Sequence, residues 1–199
     1  MSNYRLHPDT YENLWTDRSI SRVDLASRKE VFQDLLPKDA VKILEVGCGA
    51  GYNLSAISSV GKNYKLTGMD ILDHAVNEAN RRCGDSINIL SADGLNTPFS
   101  DNCFDLVLAC GYLDWIVYDN LARAISELIR VSGKYIVVID YMTDCDDKIE
   151  LLVCHKGLPL YIVRNYFSKF DSCCVITYIE ELPEKFSKIP MSALLFKKI

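Results

Sequence analysis

The sequence predicts a single α/β domain built on a largely parallel sheet. Three observations carry this reading. Short apolar, β-branched runs alternate with segments of helical spacing along most of the 199 residues, the signature of repeated strand–helix–strand units. The run Val41–Val46 ends in three glycines spaced by two, Gly47, Gly49 and Gly51. Glycine lets a chain turn sharply and approach a ligand because no Cβ intervenes. The run Phe104–Cys110 is almost continuously apolar, as expected of a strand covered on both faces. Hydrophobic residues make up 49% of the chain, enough to fill one sizeable core. No linker, repeat or low-complexity tract divides it. Residues 1–37 read as an N-terminal segment and helix, and 41–199 as the core of the same domain.

The elements follow in order. Residues 1–22 are polar and aromatic and read as irregular or a short helix. Asp24–Leu36 reads as a helix: Asp24 is placed to cap it, Val31, Phe32, Leu35 and Leu36 form an apolar face, and Pro37 stops it. The first strand is Val41–Val46, and a helix of about Tyr52–Val60 follows the glycines. The second strand is Lys65–Asp70, followed by a helix over Asp73–Cys83 with Asp73 as its cap. The third strand is Ile87–Leu90, and the loop after it carries Asp93, Pro98 and Phe99. The fourth is Phe104–Cys110. A helix over Asn120–Arg130 leads through a turn at Gly133 into a fifth strand, Tyr135–Asp140. The acidic stretch Asp144–Asp147 reads as a solvated loop, and a short helix is placed near Pro159 within Leu158–Phe170. Two closing strands, Cys174–Ile179 and Ala193–Lys197, flank a polar loop with two prolines.

Charge and cysteine usage narrow the class. The net charge of −5 argues against a nucleic-acid partner, which calls for a basic face. The pairs Arg81-Arg82 and Lys197-Lys198 read as solvated surface. No apolar run is long enough to cross a bilayer, and Met1–Tyr11 has no apolar signal core. A cytoplasmic protein with no membrane partner is expected. The eight cysteines contain no C-x-x-C pair, so neither a zinc site nor a disulfide framework is indicated. They are expected to be reduced and to act mostly as small apolar residues. No metal site and no oligomeric state are read from the sequence.

The chemistry is concentrated in Ile43-Leu44-Glu45-Val46-Gly47-Cys48-Gly49-Ala50-Gly51. Strand, glycine turn and helix together put a ligand over exposed N–H groups at a helix N-terminus. A dinucleotide site expects G-x-G-x-x-G, but here Tyr52 takes the place of the last glycine. A P-loop needs Lys followed by Ser or Thr, and Gly51 is followed by Tyr52 and Asn53. The pattern Glu-x-Gly-x-Gly-x-Gly resembles the cofactor motif of the class I S-adenosylmethionine-dependent methyltransferases.

That resemblance implies a Rossmann-like three-layer sandwich. Its seven-stranded sheet is mostly parallel, with an antiparallel strand 7 inserted between the fifth and sixth. It also implies a cofactor, S-adenosyl-L-methionine, held at the carboxyl ends of the strands. The glycine turn, Gly47, Cys48, Gly49 and Gly51, would pass under the amino-acid end, with Glu45 and Asn53 (and, more weakly, Tyr52) ordering that end. Asp70, 23 residues after Gly47, matches the acid that accepts from the ribose hydroxyls; the other reading of Asp70 is a helix cap. Ile71 would pack on the adenine. Ala92-Asp93-Gly94 matches the position whose acid accepts from the adenine amino group. Cys110 would touch the methionine end through its carbonyl. Asp105 starts its strand, far from the cofactor, and reads as structural.

Methyl transfer from a sulfonium is an in-line displacement that chiefly needs alignment and exclusion of water. A base is needed only when the nucleophile must lose a proton. The candidate is Asp114, for substrate binding or proton acceptance; capping the following helix is the other reading. Tyr112 and Trp115 would wall an acceptor pocket, and His155 lies in a loop placed to cover it. Tyr4, Tyr11 and Trp15 form a candidate lid.

The absence of any large insertion favours a small-molecule acceptor. A second resemblance, carried by Glu127-Leu128, Arg130–Tyr135, His155-Lys156-Gly157 and Arg164–Phe167, is to methylases of pseudaminic-acid and related sugar biosynthesis. It implies a sugar or nucleotide-sugar acceptor. The alternatives are a protein or RNA methyltransferase, or a non-catalytic cofactor-binding partner subunit.

Overall fold

The computed structural model describes residues 25–140, 142–143, 158–159, 173–179, 182 and 191–198. Among the described residues the first element is helix α1 (Leu25–Leu35), and strand β1 (Lys42–Val46) and helix α2 (Tyr52–Ser58) flank the glycine turn. Strand β2 (Lys65–Asp70), helix α3 (Asp73–Cys83) and strand β3 (Asn88–Ser91) follow. Strand β4 (Phe104–Cys110), helix α4 (Tyr118–Val131) and strand β5 (Ser132–Asp140) complete the repeating part. A two-residue pair, β6 (Met142–Thr143) with β7 (Leu158–Pro159), and two long strands, β8 (Cys173–Ile179) and β9 (Ser192–Lys198), close the fold.

The main sheet has seven strands in the order β3-β2-β1-β4-β5-β9-β8. The first five are parallel. Strand β9, last in the chain, lies between β5 and β8 and runs antiparallel to both. Alternation along each strand sends side chains to two cores. Ile43, Leu106, Leu108 and Ile139 meet Phe32 of α1, Leu54 and Ile57 of α2 and Ala79 of α3. Leu44, Val46, Val107, Ala109 and Val138 meet Leu121, Ile125 and Leu128 of α4. The result is three layers with the strand ends β1, β2, β3 and β4 aligned at one edge.

Several local expectations are corrected. The N-cap of α3 is Leu72, with no side-chain cap, and Asp73 lies inside the first turn, where its charge still complements the helix dipole. Helix α4 starts two residues earlier than expected, with Val117 as its N-cap, so Asp114 does not cap it. Gly133 lies inside β5 rather than at a turn. It sits at the register shift of β4 and β5, where a Cβ would lie 3.1 Å from the carbonyl oxygens of Asn102 and Phe104. Leu158–Pro159 is extended and paired with β6; residues 160–170, where the short helix is expected, lie outside the described residues. The proposed lid residues Tyr4, Tyr11 and Trp15, the Asp144–Asp147 loop and His155 lie outside the described residues.

The basic pairs split. Arg81 pairs with Glu78 on the surface. Arg82 turns inward: its Nε donates to Ala50 O at 2.9 Å, and its guanidinium stacks 3.5 Å from the centre of the Tyr52 ring. Lys198 Nζ donates to Ile129 O at 3.0 Å and Ser132 O at 2.9 Å, tying the last strand to the end of α4. Asp105 is structural, as read: its Oδ2 accepts from Val41 N at 3.0 Å and Lys42 N at 2.9 Å, which pins β1 to β4 at the edge away from the glycine turn.

Candidate active site

The glycine turn is held from below. Cys48 N donates to Met69 O at 2.9 Å, and Gly51 N donates to Cys48 O at 3.0 Å. Gly47, Gly49 and Gly51 all have positive φ, at 71°, 53° and 76°, which favours glycine at each. Their surroundings differ. A Cβ on Gly51 would lie 2.8 Å from Cys83 Sγ and 3.2 Å from Ala79 Cβ, so this glycine lets α3 pack closely on the turn. The Cys48 side chain is buried, 3.0 Å from where a Cβ on Gly68 would stand. Burial is the main cause that pushes its thiol well above the usual range. Cys48 and Gly51 therefore serve the fold. Gly47 is filled by Tyr112 in the same way, and Gly49 gives its N–H to Asp70.

Asp70 ends β2 and joins two loops. Its Oδ2 accepts from Gly49 N at 2.8 Å, and its Oδ1 accepts from Leu72 N at 3.0 Å. Burial raises this carboxyl, and the N–H groups of Leu72, Gly49 and Ile71 oppose the rise. Each carboxylate oxygen retains acceptor capacity beyond one backbone bond. Next to it, Ile71 is 43% exposed and forms no part of either core. After β3, Asp93 Oδ1 accepts from Leu95 N at 2.8 Å. The loop beyond is clamped to α4. Arg130 donates to Phe99 O at 2.7 Å and to Glu127 Oε1 and Asp101 Oδ1, each at 2.8 Å. Arg123 Nε donates to Leu95 O at 3.0 Å, and Thr97 N donates to Glu127 Oε2 at 2.9 Å. The Arg130 guanidinium foremost, and the bonds from Thr97, draw the Glu127 carboxyl down to about 2 against the effect of burial.

Beneath the turn, Glu45 is fully buried. Its Oε1 accepts from Asn53 Nδ2 at 2.6 Å, and Arg28 of α1 in turn donates to Asn53 Oδ1. Glu45 Oε2 has no partner among the described residues. Burial pushes the carboxyl up to about 8, against the pull of Asn53 and of the Arg28 charge. Cys110 stands on the neighbouring strand close to the same group, its thiol pushed up to about 12, chiefly by burial. Beyond β4, a one-turn 3-10 helix, Leu113–Trp115, presents Asp114 and Trp115, both half-buried. Asp114 N donates to Asp140 Oδ2 at 3.2 Å. Tyr112 does not join them: it packs under Gly47 and Gly94.

Comparison with known proteins agrees with this geometry. Residues 44–137 match the family described as "Methyltransferase domain". That span, just under half of the chain, is similar to the methyltransferase family. The chain is similar in sequence to the demethylmenaquinone methyltransferase of Staphylococcus haemolyticus, 32% identical over 83 residues that cover 40% of this chain and 35% of that one. It is also similar to the mitochondrial arginine-hydroxylase of Mus musculus, 33% identical over 118 residues, 58% of this chain and 33% of the other. The chain thus spans about a third of the length of these curated relatives. Its fold matches a SAM-dependent methyltransferase from Aquifex aeolicus with a TM-score of 0.69, at 21% identity over 98% of this chain and 100% of the other. It also matches magnesium protoporphyrin IX methyltransferase from Synechocystis, crystallised with bound SAH: TM-score 0.73, 14% identity, 96% and 98% coverage.

The residues of this site fit S-adenosylmethionine, the cofactor of the family that the sequence resembles. A buried carboxylate oxygen on Glu45 lacks a partner, which suits an ammonium group. Asp70 is acceptor-only, which suits a pair of hydroxyls. An exposed isoleucine next to Asp70 suits the face of a purine. Among the described residues no cluster of His, Cys, Asp and Glu is placed to hold a metal ion, and no helix is long and apolar enough to cross a membrane. Arg28, Arg82 and Asp140 are the residues that sequence reasoning missed. Only Arg82 carried a signal, its helical offset from Ala79 and Cys83 on the face toward the turn.

Proposed function

We propose that this chain transfers the methyl group of S-adenosylmethionine to a small-molecule acceptor. The observation that carries the proposal is the Asp70 carboxylate, which bonds Gly49 N and Leu72 N beside the unpartnered oxygen of Glu45. Two acids and a glycine turn thereby form one rigid acceptor surface for a ligand with a cationic end and a nucleoside end. When bound, the cofactor supplies an activated methyl on a sulfonium sulfur.

The chain's own residues would bind, orient and exclude water. Glu45, ionised by a nearby cation, would hold the ammonium, with Asn53 and Arg28 fixing its rotamer. Asp70 would accept from the ribose hydroxyls and Asp93 from the adenine amino group, with Ile71 against the ring and Ala92 and Gly94 supplying backbone contacts. Asp114 and Trp115, at the end of β4, would meet the acceptor, and Asp114 is the candidate proton acceptor. The Asp140 contact fixes the Asp114 backbone. A small-molecule acceptor is supported by the similarity to a demethylmenaquinone methyltransferase. A sugar acceptor is supported by the sequence resemblance alone: Glu127 and Arg130 act as a loop clamp, and residues 155–157 and 164–167 lie outside the described residues.

The test has two parts. Calorimetry should show binding of S-adenosylhomocysteine to the wild-type chain. Asp70→Ala should weaken it by about 1.5–3 kcal/mol, the worth of charged hydrogen bonds; unchanged affinity would remove Asp70 from the site. Labelled methyl groups should then appear in small molecules, sugar nucleotides included, rather than in protein or RNA fractions. Mass gain of an oxygen atom in place of a methylene would point instead to the hydroxylase-like chemistry named for the mouse relative.

A further inference from the structure

Tyr112 leaves the end of β4 and turns its ring beneath the site, in the core layer shared with Val46, Leu95 and Leu113. From there it touches both glycine-bearing loops. A Cβ on Gly47 would lie 3.0 Å from Tyr112 Cδ2. A Cβ on Gly94 would collide with the hydroxyl and lie 2.8 Å from Cζ. Glycine at position 94 therefore leaves room for a phenol oxygen. That oxygen is buried and has no hydrogen-bond partner among the described residues. The carboxylates of Asp93 and Asp70 both act on it electrostatically, Asp93 the more strongly, and with burial they hold the phenol above its usual range. It is therefore a neutral donor across the working pH. A buried hydroxyl without a partner is costly and calls for an explanation, which a bound group would supply.

We propose that the Tyr112 hydroxyl donates a hydrogen bond to the nucleoside half of the bound cofactor, so that Tyr112 and Gly94 together recognise a purine nucleoside. This rests on the methyl-transfer reading above. Placement and chemistry both choose the nucleoside. The hydroxyl lies at Gly94, beside Asp93, whereas Glu45 projects to the opposite face of the sheet with Ile43. Asp70 and Asp93 can only accept hydrogen bonds when ionised. A nucleoside also presents ring nitrogens and ribose oxygens that need a donor, and Tyr112 is a donor standing among those acids.

Tyr112→Phe removes the oxygen and keeps the ring. The dissociation constant for S-adenosylhomocysteine should rise roughly 3- to 10-fold, the worth of one neutral hydrogen bond. Methylthioadenosine, which lacks the amino-acid end, should weaken by the same factor. The thermal midpoint of the ligand-free variant should be unchanged or higher, because an unsatisfied group has been removed. Gly94→Ala should weaken both ligands in the wild-type background and do so less in the Tyr112→Phe background, since the clash is with the lost oxygen. Unchanged affinity for both ligands overturns the proposal. So does a loss confined to S-adenosylhomocysteine, or a lowered ligand-free midpoint. A wild-type chain that binds neither compound overturns the methyl-transfer reading and this proposal with it; one that binds both and is indifferent to the hydroxyl overturns this proposal alone.

Discussion

Glu45 carries a carboxyl that the fold keeps largely protonated until the pH reaches about 8. In the unfolded chain the same group ionises in the ordinary carboxylate range. Between those two values the folded state holds a proton that the unfolded state has lost, so stability falls as pH rises through this window and levels off above it. Glu45→Gln should abolish that fall. Urea midpoints for the ligand-free wild type should drop from mildly acidic to alkaline pH, and those of the variant should stay level. Equal slopes in both would show that Glu45 ionises freely. The acid in the glycine motif was visible in the sequence, as were Asp70 and the exposed Ile71. Arg28 was not: its helix shows only an apolar stripe, and a contact with Asn53, 25 residues away, has no local signature. The different duties of the three glycines were equally hidden, because a spacing of two says that the backbone turns and nothing about which neighbour fills each missing Cβ.

Helix α4 acts as the buttress of the loop after β3. Arg123, Glu127 and Arg130 lie on its face at spacings of four and three and bind Leu95, Thr97, Phe99 and Asp101. Arg130→Ala should speed hydrogen exchange of the amides in 95–101. It should cost about 1–2 kcal/mol of stability, a figure discounted because the Arg130–Asp101 pair is largely solvent-exposed. Exchange unchanged in that loop would show that the clamp does not order it. The helix itself was legible from its apolar periodicity. Its partner loop was not, since polar side chains at helical spacing read equally well as a solvated face. Element boundaries moved by one to three residues: Val131 joins α4 through burial in the core, whereas Tyr118 extends its start while remaining exposed.

The whole molecule depends on α1 closing one face of the sheet. Phe32 is fully buried among Ile43, Leu106 and Leu108, and the same helix brings Arg28 to Asn53. Phe32→Ala should destabilise the chain by about 3–5 kcal/mol, transfer and cavity terms combined. It should also weaken cofactor binding, because Arg28 then loses its platform. Chemical denaturation and calorimetry on the same preparation check both halves; a destabilised chain with full affinity would separate the helix from the site.

Alternating strands and helices, the glycine turn and the spaced acids were present in the linear pattern, because periodicity and backbone freedom are local properties. They were enough for the fold class, the parallel core and the cofactor edge. The insertion of β9 between β5 and β8, the inward turn of Arg82 and Lys198, and the burial of the Tyr112 hydroxyl under Gly94 arise from packing between distant segments. Such contacts depend on shape and on the competition for buried polar partners, and neither is written in the order of residues along one stretch of chain.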